Sequence, residues 1–168
     1  MNTFWTYFWP LFATGLVVGM VAGLFGFRRN HLRARTVSAA ALIAVAAALL
    51  WHGPLGAADR FTTEVEGNAR TGLDSWEMPH VTAHLHREPL TRVLVLSGPR
   101  SLDDFQRSEL VKIMDTVPGV SNARWSEAPA GAPLIIEGAA AAILGFLLGV
   151  LVAYLIELRR RYNAQWTW

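Results

Sequence analysis

A chain of 168 residues that is 52% hydrophobic and 17% charged is too apolar for an ordinary soluble domain, and has room for one small module beside a few membrane spans. Its formal charge of +2 comes from arginines that flank apolar runs, so the basic balance is explained by membrane topology and nucleic-acid binding is excluded as its reading. With no cysteine, disulfides and thiol chemistry are excluded, although the compartment is not thereby named.

The first apolar run is residues 4–27, "FWTYFWPLFATGLVVGMVAGLFGF". No positive charge precedes it and no small-residue cleavage site follows, so it reads as a retained span (residues 1–27) rather than a secretory signal. Gly15, Gly19 and Gly23 make a continuous small-residue face, the pattern that lets helix backbones approach closely in lipid. The next segment, residues 28–36, is a basic loop carrying Arg28, Arg29, Arg33 and Arg35.

The second run, residues 37–55, is Ala-rich and ends in Gly53-Pro54. The third covers residues 134–156 within a span of 133–158, and repeats the small-residue face at Ala141, Gly145 and Gly149. Each run is close to the ~20 apolar residues that cross a ~30 Å hydrocarbon layer. The three hold one carboxylate, Glu137, and no Lys or Arg. Arginines concentrate in the first loop and in the tail, residues 159–168, so both face the cytoplasm and the N-terminus faces outward. Trp5, Trp9 and Trp51 fit an outer interfacial belt, and Trp166 and Trp168 an inner one.

That topology exports residues 56–132, a segment with eight basic and eleven acidic residues. Phe61, Val65, Ala69 and Leu73 recur every four residues and predict a helix. In "HVTAHLH" the period falls to two: Val81, Ala83 and Leu85 face one way and His80, Thr82, His84 and His86 the other, as in a half-buried strand. "LTRVLVLSG" predicts a second strand, reached through "REP". A further helix follows, with Ser101 as its cap, Asp103 and Asp104 in its first turn, and Leu102, Phe105, Leu110, Ile113, Met114 and Val117 as its apolar stripe. Pro118-Gly119 ends it, and "VSNARWS" returns as a short strand. The predicted fold class is three transmembrane helices with a small exported α-β-β-α-β domain.

The order of elements, the apolar strand closing on Gly98 in "VLVLSGPR", and the Gly119-Val120 turn in "VPGVSNARW" resemble the BON domain, a module of bacterial envelope proteins, over residues 59–126. Pro99 and the His-rich first strand depart from its pattern. The resemblance implies a non-catalytic domain in the periplasm that contacts phospholipid headgroups or envelope proteins. On the residues themselves, Gly98 and Gly119 are turn positions.

Chemistry-bearing groups are few. No nucleophile motif, phosphate loop or dinucleotide fingerprint occurs. His80, His84 and His86, two to four residues apart, offer imidazoles for a metal, against the plainer reading of a solvated strand face. Ala48 and His52, with Trp51 between them, resemble the pigment-ligating stretch of bacterial light-harvesting polypeptides, which would make His52 a pigment or haem ligand. His52 and Glu137 fall at similar depth near the outer boundary and form a candidate polar pair. Taken together these features predict a non-enzymatic, multi-pass subunit of the bacterial inner membrane that acts as accessory or scaffold. Its expected partners are membrane lipids, other integral proteins or further copies of itself; the alternatives are a cofactor-binding subunit of a photosynthetic or respiratory complex and a standalone lipid-binding maintenance protein.

Overall fold

The computed structural model describes residues 3–28, 33–126 and 131–164. Five helices and three strands follow in the order α1 (Thr3–Arg28), α2 (Arg33–His52), α3 (Ala57–Ser75), β1 (Thr82–Arg87), β2 (Leu90–Ser97), α4 (Asp104–Asp115), β3 (Asn122–Arg124) and α5 (Leu134–Ala164). α1, α2 and α5 are long and apolar enough to cross a membrane. Two of them outrun their apolar cores. α2 begins on Arg33, so Arg35 lies in its first turn, and α5 runs on to Ala164 and carries Arg159, Arg160 and Arg161 as helical residues. Trp166 and Trp168 lie outside the described residues.

The chain divides into two compact units. One runs from Gly56 to Glu137 and includes α1 up to Tyr7; the other holds Phe8–Leu55 and the chain from Gly138 onward.

In the first unit β1 and β2 form an antiparallel pair, and β3 joins the far side of β2 in parallel. A parallel partner requires a crossover, which α4 supplies. Leu85 faces Leu94, and Leu94 faces Ala123, so one face of the sheet presents these three with Leu96; all are buried. α3 covers that face with Phe61, Val65, Ala69 and Leu73, every one of them buried as its four-residue period predicts. α4 adds Leu110 and Met114.

Two local expectations are corrected. Ser101 does not cap α4; Asp103 does, accepting from Gln106 N at 2.6 Å while Gln106 Oε1 accepts from Asp103 N at 3.2 Å. A carboxylate one residue before the helix accepts from the open Gln106 N–H and suits the dipole, while the Gln106 side chain satisfies the N–H of Asp103; a serine two residues further out cannot make this reciprocal pair. Phe105, read as part of the buried stripe, is 71% exposed, because at about 100° per residue it lies on the side of α4 opposite buried Met114. α4 stops at Asp115, ahead of Pro118, whose ring disfavours helical geometry in the residue before it.

Gly119 has φ +100°, and a Cβ there would lie 2.8 Å from Val65 Cγ2, so both backbone and space require glycine. Gly98 keeps ordinary φ and is exposed; a Cβ would stand 3.3 Å from Trp125 and Val81, which makes it a close-packed position rather than a conformational one.

Edge strand β1 is blunted by a side chain: Leu85 N donates to Glu66 Oε1 at 3.0 Å, and Arg87 pairs with Glu66 Oε2 at 3.3 Å. Arg70 ties α3 to the residue just ahead of that strand, donating to Val81 O at 2.9 Å, and its hydrogen bond holds the Asp74 carboxyl below the usual carboxylate range.

In the second unit α1 and α5 run parallel, with Gly15 against Ala142, Gly19 against Phe146 and Gly23 against Ala153. α2 packs with them through Ala40 and Ala44, which cluster with Ala22 and Phe146. In a chain that crosses a membrane three times in succession, the first and third helices must run in the same direction, as α1 and α5 do.

Candidate functional site

The polar groups of the first unit converge where β2, the first turns of α1 and the first turn of α5 meet. Arg92 Nε lies 2.6 Å from Glu137 Oε2, and the two side chains are only 20% and 24% exposed. The local sequence explains both positions. Arg92 shares the inner strand face with Leu94 and Leu96 by simple alternation, which places a guanidinium at the end of an otherwise apolar row. Pro133 bridges to Thr91 beside β2 and then starts α5, whose Glu137 N donates back to Pro133 O at 3.2 Å. A carboxylate in that first turn is favoured by the helix dipole as well as by the arginine.

α1 closes the other side. The Arg92 guanidinium stands 5.3 Å from the centre of the Phe4 ring. The Tyr7 and Phe61 rings meet at 5.5 Å, and Asn68 Nδ2 donates to Thr3 Oγ1 at 3.3 Å. Thr3, Tyr7 and Leu134 are all buried. The module therefore completes its core with residues from both membrane helices that bracket it. Sequence reasoning missed Arg92, although a lone charge in "LTRVLVL" on the face of two leucines was a visible signal.

Glu137 thus finds an ion-pair partner in Arg92, because alternation along β2 delivers a guanidinium to the helix start. His52 is the half-buried last residue of α2, and Trp51 beside it is half-buried too. Ala48 and Trp51 line a small groove of about 230 Å³ with Pro10, Leu11, Thr14 and Leu55. That lies below the roughly 300–1,000 Å³ of usual small-molecule sites.

The three histidines are not brought together as ligands: His80 lies outside β1 and is exposed, His84 and His86 sit half-buried on the strand, and His86 Nδ1 is 3.1 Å from Pro89 O. Among the described residues no group of three metal-ligating side chains occurs.

The small-residue faces of α1 and α5 meet each other. A Cβ on Gly15, Gly19, Gly145 or Gly149 would collide with the backbone of the facing helix, at Ala142, Phe146, Phe12 and Leu16 respectively. On α5 the seam runs through Ala142, 1% exposed, and not Ala141, which flanks it half-buried; a 3.6-residue turn carries the face from Ala142 to Gly145, Gly149 and Ala153. Trp5 and Trp9 are more than half exposed.

A second polar cluster ends the three-helix unit. Glu157, 6% exposed, pairs with Arg160 at 3.3 Å and Arg161 at 3.1 Å, and Arg161 Nη2 also donates to Phe27 O at 3.3 Å. The i,i+3 and i,i+4 spacing made these pairs readable from sequence, but the cap on the end of α1 was not.

No family model, curated protein or solved structure matches this chain.

Proposed function

We propose that the protein is a non-enzymatic inner-membrane accessory or scaffold subunit that presents a small BON-like module on the periplasmic side. The observation that carries this reading is the joint at Arg92, Glu137, Phe4 and Tyr7: the module's core is completed by two membrane helices, which suits a platform for partner proteins better than a domain on a loose tether. Trp76 and Phe105, 58% and 71% exposed on a module this small, are the surface aromatics available for such contacts.

Two experiments test it. Purification from native membranes in mild detergent should yield assemblies larger than the 18.5 kDa chain, and Trp76→Ser with Phe105→Ser should strip specific partners without lowering the melting temperature. A monodisperse lone chain would end the scaffold reading. Orientation follows from the arginines at one end of α1, α2 and α5. A cysteine at Ser101 should react with a membrane-impermeant maleimide in intact spheroplasts, and one at Asn30 should not; the reverse pattern would invert the topology.

The cofactor reading at His52 draws less support, given the size of the groove beside Ala48 and Trp51. A visible absorbance band in the purified protein would favour it instead.

A further inference from the structure

We propose that the arginine-bearing end of the three-helix unit binds anionic phospholipid, holding the headgroup phosphate between guanidinium groups of different helices. Residues 8–55 and 138–168 contain seven arginines, no lysine and a single carboxylate. Arg28 ends α1, Arg35 opens α2, and Arg159, Arg160 and Arg161 lie in the last turns of α5. The hydrogen bond from Arg161 to Phe27 O shows that the ends of α1 and α5 are adjacent.

The one carboxylate is already committed. Glu157 is buried and engages Arg160 and Arg161, so it fixes those side chains without neutralising the rest. Arg28, Arg35 and Arg159 are exposed and have no ion-pair partner among the described residues. The surplus positive charge is thus spread over three helix ends, and it calls for an anion from outside the chain.

The choice of residue narrows the anion. Lysine would serve topology equally well, whereas the planar guanidinium fork matches two phosphate oxygens at once. The surface just above the arginines selects a lipid over a free ion: Phe25, Ile156 and Leu158 are about half exposed or more, and offer acyl-chain contact below a headgroup. The proposal does not depend on which leaflet this end occupies, nor on the function of the module.

The test is native mass spectrometry of the full-length chain in mild detergent, titrated with phosphatidylglycerol or phosphatidylcholine. The parent should retain phosphatidylglycerol preferentially. Arg28→Gln, Arg35→Gln and Arg159→Gln should each weaken it about five-fold, and the triple variant on the order of a hundred-fold. The corresponding triple Lys variant should fall between the two, since it keeps the charge and loses the fork. Equal retention of both lipids by the parent, or an unchanged preference in the triple Gln variant, overturns the proposal. If that variant does not fold, salt decides: raising it from about 0.1 M to about 1 M shortens the screening length from ~10 Å to ~3 Å and should abolish the parent's preference. A preference that persists in high salt would overturn it too.

Discussion

Gly19→Leu should unseat α1 from α5 and produce the largest loss of stability of any single substitution on the spans. A Cβ at this position meets the Phe146 carbonyl and Cα, which are backbone atoms of the facing helix, so no rotamer change can make room. The neighbouring turns offer no slack either, because Gly15 and Gly23 are in equally close contact with Ala142 and Ala153, and Gly145 and Gly149 press back on Phe12 and Leu16. Helices that cannot rearrange locally must separate along the whole seam, and the packing that holds them in lipid goes with it. The expected cost is at or above the upper end of the usual overpacking range, about 3 kcal/mol, read as a large drop in the melting temperature of the detergent-solubilised protein. Val17→Leu is the control, since Val17 is 53% exposed on the same helix and should melt like the parent. If Gly19→Leu also melted like the parent, the α1–α5 seam would not be the contact that holds the bundle.

Removing one member of the Arg92–Glu137 pair should cost more than removing both. Arg92→Met leaves the Glu137 carboxylate only 24% exposed and without its 2.6 Å partner, and it also removes the guanidinium from the Phe4 ring. Because both side chains keep some solvent, the loss should fall below that of a fully buried pair, at about 2 kcal/mol. Glu137→Leu alone should cost a similar amount, since a guanidinium is then left against buried Leu94 and Leu96. The double variant should recover much of either loss, because two apolar side chains can fill the same joint without a stranded charge. Thermal melts of the four proteins give the coupling directly. Strictly additive losses would mean that the pair does not hold the module to its helices, and the platform reading would lose its support.

Much of this architecture is readable without coordinates, because burial writes a period into the chain. Phe61, Val65, Ala69 and Leu73 repeat every four residues and all four are buried; Val81 and Leu85 alternate with polar neighbours and are buried as well. The same logic places Gly15, Gly19 and Gly23 on one line. It slips by one residue on α5, where Ala139, Ala140, Ala141 and Ala142 are equally small and only the facing helix selects Ala142. Phe105 shows the opposite limit: an apolar residue near a stripe in sequence stays in solvent when the 3.6-residue turn carries it to the far side of the helix from buried Met114.

By itself the sequence determined the three apolar helices, the end at which the arginines gather, and the succession of helices and strands between the spans. These are consequences of composition and of contacts within a few residues, which one-dimensional patterns record. Tertiary structure alone decided that β3 runs parallel beside β2, that Arg92 reaches Glu137 across 45 positions of chain, and that Phe4 and Tyr7 help complete the module. Such contacts depend on where a crossover returns and how far a helix start lies from a strand end. The chain specifies these distances only through the packed fold, so a carboxylate expected to seek His52 pairs with an arginine that local reasoning had left as an ordinary strand residue.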